Sequence, residues 1–119
     1  MTTTEIAKRL AELCRQGQYD KAQKELYAED AVSIEPYPSP AFEKETKGLD
    51  AIVEKGHKWE SMVKETHNLT ISEPLVAGNA FAFTLRMEIT MIEQGRIDMT
   101  ELCVYQVKNG KIVSEQFFM

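Results

Sequence analysis

Three glutamates in this chain stand where a carboxylate can move protons. Glu35 sits near the end of AEDAVSIEP, residues 28–36, which reads as a helix end, a tight turn and a short strand that stops at proline. On that strand Val32 and Ile34 alternate with Ser33 and Glu35, so one face is apolar and the other ends in a carboxylate. Glu101 interrupts an apolar face that Ile97, Met99, Cys103, Tyr105 and Val107 make at strand spacing. Glu115 shares a strand face with Val113 and Phe117. Apolar surroundings disfavour the charged form of a carboxyl, and a neighbouring acid raises its proton affinity further. Both effects move it toward the range useful for general acid–base catalysis. His67 shares parity with Leu69 and Ile71 and titrates near neutrality in its ordinary state.

The remaining reactive types exclude more than they suggest. His57 and Glu60 are three apart and can share a helix face, but a metal needs more convergent ligands, so no metal site is expected. Cys14 and Cys103 have no CxxC spacing and read as buried thiols of a cytoplasmic protein. Cys103 has no sequence neighbour that would activate it as a nucleophile. The net charge of −5 would repel phosphate backbones, so nucleic acid is not an expected partner. No apolar run is long enough for a membrane span, and MTTTEIAKRL lacks the pattern of a secretory signal.

The chain of 119 residues suits one domain, residues 1–119, with 43% hydrophobic residues to fill a small core. Ile6, Leu10 and Leu13 predict an amphipathic helix from Thr3 or Thr4 to Gly17, and Tyr19, Ala22 and Leu26 a shorter second one. Residues 31–35 form the first expected strand. Residues 36–47 hold three of the four prolines and read as a loop, a candidate lid beside Glu35. Leu49, Ile52, Val53, Gly56, Trp59 and Val63 predict a third helix running to about Glu65. Strands are then expected at 67–73, 75–77, 80–92, 96–108 and 111–118, with Asn109-Gly110 as a type I′ hairpin turn. Helices first and an antiparallel meander after give an α+β class.

The phrases QGQYDKAQKELYAEDAVSIEP, GLDAI, AGNAFAFTLRMEI and NGKIVSEQFF make the chain resemble the SnoaL-like branch of the nuclear transport factor 2-like superfamily. Polyketide cyclases belong to that branch, and ketosteroid isomerases are close relatives. The resemblance implies a cone-shaped, curved antiparallel sheet wrapped around three N-terminal helices, with a pocket inside. It places Glu35 at the position of the isomerases' general-base aspartate. The isomerases' oxyanion tyrosine falls near Leu10 and their protonated acid at or near Cys103, so two of those three groups are not kept.

What the resemblance and strand parity together imply is a different polar set: Glu35 as base, with Glu101 or Glu115 as proton donor or substrate anchor. His67 is a further candidate at the pocket mouth. Phe83, Leu85, Met87, Met99, Tyr105 and Phe117 would form the wall. Trp59, Cys103 and the loop residue Tyr37 complete the expected ligand contacts. The expected ligand is a small, mostly apolar molecule with a carbonyl or hydroxyl group. Isomerisation, cyclisation and dehydration all fit, because each moves protons without metal or cofactor. Two bland readings stand beside this. Glu35 reads equally as a solvated strand end, and the pocket as a ligand binder without turnover. Leu102 and Val104 on the opposite sheet face point to a homodimer or other docking through the outer sheet.

Overall fold

The structure, a computed structural model, describes residues 1–119. Helix α1 (Thr3–Arg15) starts at a capping box. Thr2 accepts from the Glu5 backbone amide at 3.1 Å, and the Glu5 carboxylate accepts from the Thr2 amide at 2.8 Å. Ile6, Leu10 and Leu13 turn inward from it and are almost wholly buried. Each such aliphatic side chain contributes roughly 1.5–3 kcal/mol through burial. Helix α2 (Tyr19–Leu26) runs directly into strand β1 (Tyr27–Ile34). Next come β2 (Glu45–Lys47), α3 (Leu49–Met62), β3 (Val63–Ile71) and β4 (Leu75–Ala77). Strands β5 (Ala80–Met91), β6 (Gly95–Lys108) and β7 (Lys111–Phe118) complete the chain. None of the three helices is long and apolar enough to cross a membrane.

The strands form one open sheet in the order β2-β1-β7-β6-β5-β3, with β4 paired to β5. Its inner face meets the helices, and the fold is the expected α+β cone of three helices and a curved, unclosed sheet. Phe81 and Tyr105 stack in that core with ring centroids 4.9 Å apart, and Phe83 tilts against Tyr105 at 5.3 Å. Asn109 and Gly110 both take positive φ, 53° and 74°, as the β6–β7 hairpin turn requires.

Four local expectations are corrected. The first strand begins at Tyr27 rather than 31, so Ala28, Glu29 and Asp30 are strand and not a turn. The sheet is mixed, because β1 pairs with β7 in parallel and the two lie far apart in the chain. The segment 36–47 is not all loop, since Glu45–Lys47 pairs with β1 as an edge strand. The third helix stops at Met62 and its strand starts at Val63, opposite Met91; the cross-strand ladder there outcompetes another helical turn.

Candidate functional site

Strand β1 turns its polar face inward. Ser33 is wholly buried. Glu35 lies just past the strand end on the same parity, its backbone amide donating to the Lys44 carbonyl at 2.7 Å. The parallel β1–β7 pairing sets Ser33 beside Glu115, and the antiparallel β6–β7 pairing sets Glu115 beside Tyr105. The β1–β7 pairing thus brings a β1 polar group to a carboxylate from the last strand.

Glu115 is 4% exposed. Its carboxylate accepts from the Ser33 hydroxyl at 2.6 Å and from the Tyr27 hydroxyl. Burial raises its proton affinity, while those two donors and the Lys55 charge pull it back. Burial and the facing Glu115 charge hold the Tyr27 proton firmly, so Tyr27 acts as a donor. Lys55, from α3, closes the network. Its ammonium donates to Ser33 Oγ at 2.6 Å and to Glu35 Oε1 at 3.1 Å. The polarity is consistent along the whole run, from Lys55 to the Ser33 oxygen and from the Ser33 hydroxyl to Glu115.

Glu101 differs from both other acids. It faces inward from β6 between Met99 and Cys103, opposite Leu85. Its only protein partner is the Cys103 thiol at 3.8 Å, a weak donor. Burial, with the charges of Glu35 and Glu115 adding, pushes its carboxyl up to about 7, against the smaller opposing effects of Cys103 and Lys55. The Cys103 thiol itself is held protonated by burial and by Glu101, so it is no nucleophile.

The expected wall divides in two. Phe83, Leu85, Cys103 and Tyr105 are buried and packed together as a floor. Met87, Met99, Phe117 and Trp59 are half-buried, and Met87 and Phe117 pack against that core. The Lys55 ammonium lies 5.9 Å from the Phe117 ring centroid. Tyr37 is 61% exposed on the loop that follows Glu35. His67 is not brought to the set either. The ladder slips between Thr66 and Asn68, which breaks the parity with Leu69 and Ile71, and His67 bonds Thr90 Oγ1 at 2.6 Å. Thr90 belongs to the outer face of β5, so His67 faces outward.

A depression of 560 Å³ lies beside this network. It is open, runs between residues 41–46 and α3, and has Lys55 in its wall. Lys58 spans it, donating to the Ala41 carbonyl and lying 5.1 Å from the Phe42 ring centroid.

A model of the SnoaL-like domain family matches residues 1–119. The chain belongs to the SnoaL-like family. No curated protein matches it. Among solved structures, it is similar to a candidate SnoaL-like polyketide cyclase, also labelled carbohydrate phosphatase, from Mesorhizobium loti. That similarity is 34% identity and a TM-score of 0.92, over 100% of both chains. An NTF2-like protein of unknown function from Burkholderia pseudomallei shares 15% identity and a TM-score of 0.83, over 100% of this chain and 92% of its own. A protein with a ketosteroid isomerase-like fold from Catenulispora acidiphila, solved with trimethylamine, shares 16% identity. Its TM-score is 0.74, over 97% of this chain and 85% of its own. The last two likenesses speak for the fold alone.

Within this SnoaL-like domain, Lys55 and Ser33 join the candidate site although no motif marks either of them. A signal for Lys55 was present: it lies three residues after Ile52 and four before Trp59, both on the inward stripe of α3. Ser33 was visible on the polar face of β1, but nothing local tied it to Glu115.

Proposed function

We propose that this SnoaL-like protein is a cofactor-free acid–base enzyme whose proton-transfer group is Glu101. The carrying observation is the environment of that one carboxyl. It faces inward among Met99, Leu85 and Cys103, lacks a strong donor, and has a proton affinity raised to about 7. A group poised near the working pH is effective both as base and as acid. Glu35, by contrast, is engaged by Lys55, and Glu115 by two hydroxyls.

The supported reaction class is proton abstraction beside a carbonyl. The C–H bond breaks and its proton forms an O–H bond on Glu101. The freed pair becomes a C=C bond, and the carbonyl pair moves onto oxygen as an enolate. Returning the proton to the same or another carbon completes an isomerisation, and attack by the enolate carbon on a second carbonyl gives a cyclisation. The Glu35–Lys55 ion pair favours a second reading, a ligand binder without turnover, because it takes one carboxylate out of play. Leu102 and Phe118, cross-strand neighbours on the outer sheet face, are 41% and 46% exposed and support self-association through that face.

The deciding experiment offers a panel of small cyclic ketones in D2O and follows loss of the α-proton signals by NMR. The enzyme reading expects exchange faster than buffer with the wild type and buffer-like exchange with Glu101→Gln. Exchange that is no faster than buffer, or unchanged in the variant, leaves the binder reading standing.

A further inference from the structure

A carbanion formed beside a carbonyl puts its charge on oxygen, so a proton-transfer site needs something to hold that oxygen. The groups that resemblance would have placed there are Leu10 and Cys103, a hydrocarbon and a thiol whose proton burial holds in place. The molecule holds one cation among its three inward carboxylates. Lys55 is bound to Glu35, and its charge acts on both Glu101 and Glu115.

The geometry of that ammonium is informative. It has three N–H donors. Two are used, on Ser33 Oγ at 2.6 Å and Glu35 Oε1 at 3.1 Å. The third has no acceptor in the chain. The two acceptors come from one strand end, two residues apart, so they fix the direction of the third donor. Ser33 is itself fixed by Glu115, which Tyr27 holds from the other side. The Lys55 side chain is 14% exposed and also borders the 560 Å³ depression, so it is accessible without being free to wander. Beside it lies the apolar ring of Phe117, 5.9 Å away at its centroid.

We infer that Lys55 is the oxygen anchor of the site: its third N–H receives a substrate carbonyl oxygen and holds the negative charge that develops there while Glu101 takes the proton from the adjacent carbon. The inference rests on the proton-transfer reading of Glu101 and narrows its ligand class to planar, mainly apolar molecules with one enolisable carbonyl or acidic hydroxyl. The run Tyr27–Glu115–Ser33 then has a purpose that stability alone does not give it. It preorganises the ammonium, so that little reorientation is needed when charge develops. Tyr27, Glu115 and Ser33 are positioning residues here, and only Lys55 and Glu101 touch the ligand.

The test uses 4-nitrophenol, a planar ring with one acidic oxygen that imitates an enol and whose phenolate absorbs visibly. Binding is read by that absorbance and by quenching of Trp59, the only tryptophan. Far-UV and near-UV circular dichroism confirm that each variant is folded, and Lys55→Gln serves if Lys55→Met is not. The loss of a charged donor predicts affinity weaker by at least about tenfold in Lys55→Met. Lys55→Arg recovers most of it, and Lys108→Met, which removes an exposed lysine at the end of β6, stays close to the wild type. Equal binding by the wild type and Lys55→Met overturns the anchor while leaving the proton-transfer reading of Glu101 to the deuterium-exchange experiment. An equal loss in Lys108→Met also overturns it, because the loss then follows net charge and not the Lys55 donor. No binding by the wild type overturns the anchor as well.

Discussion

Replacing Glu101 with glutamine should stabilise the protein, and by an amount that depends on pH. In the folded chain the Glu101 carboxyl is raised from 4.5 to about 7, chiefly by burial. The folded state therefore binds this proton more tightly than the unfolded chain. Between those two values the unfolded chain has released the proton and the folded one has kept it. Stability accordingly falls as pH rises through this window, and the loss is complete above about 7. The displacement corresponds to about 3 kcal/mol at most, from 1.36 kcal/mol per tenfold change in proton affinity. Glu101 is half-buried, so solvent reduces this, and a change of at least about 1 kcal/mol is expected. Glutamine is neutral throughout and has no such loss. Urea unfolding of both proteins, from about pH 4 to about pH 8, gives the stability difference at each pH. Any constant offset from seating the amide cancels. The difference should grow in favour of Glu101→Gln as pH rises and level off above about 7. A flat difference, or one that grows toward acid, would refute the buried, unpaired carboxyl on which the proposed chemistry stands.

Other outcomes follow from the same network and its supports. Tyr27→Phe leaves Glu115 with one hydroxyl donor and should cost about 1–3 kcal/mol in urea unfolding, with the cost growing as pH rises because the lost donor favours the charged form of Glu115. Leu10→Ala empties a position that is 2% exposed in the helix–sheet core, and should lower stability by about 2–5 kcal/mol, read by thermal or urea unfolding. On the proposed self-association through the outer sheet face, Leu102→Arg places a charge there and should lower the self-associated fraction in sedimentation velocity; a wild type that is already monomeric, or an unchanged species, would remove that face as the contact. Gly110→Val forces a β-branched residue to a φ of 74° and should lower the unfolding midpoint measurably, while Gly56→Ala on α3, at an ordinary φ, should not.

Much of the fold was legible because it follows from local periodicity. The 3.6-residue stripe of Ile6, Leu10 and Leu13 gives α1, and the alternation from Phe81 to Met91 gives β5 with its inward face. Asn109-Gly110 marks the last hairpin by the backbone angles those residues tolerate. Strand parity also sent Glu101 inward, and left the facing of Glu115 open because both faces of the last strand carry apolar residues. It failed at His67, where a slip in the β3–β5 ladder reverses the facing, and bulges of this kind leave no mark in an alternating pattern. The strand start at Tyr27 was missed because Ala28, Glu29 and Asp30 have low strand propensity; Tyr27 pairs with Ile112 of β7, and the register shifts before pairing resumes at Val32.

The amino-acid sequence by itself determined most of the elements, the faces of α1, β5 and β6, and the family, since each depends on residues a few positions apart. Only the tertiary structure decided which acid is free. Lys55 reaches Glu35 across 20 residues and Ser33 across 22, while Ser33 and Tyr27 reach Glu115 across 82 and 88. A carboxyl's proton affinity is set by burial and by donors and charges within a few ångströms. Those neighbours are assembled by the parallel closure of β1 on β7 and by the seating of α3, and neither is written in any local pattern. The glutamate marked out by its sequence phrase, Glu35, is the one engaged by a lysine. The one left without a strong partner, Glu101, was visible only as an acid among apolar neighbours.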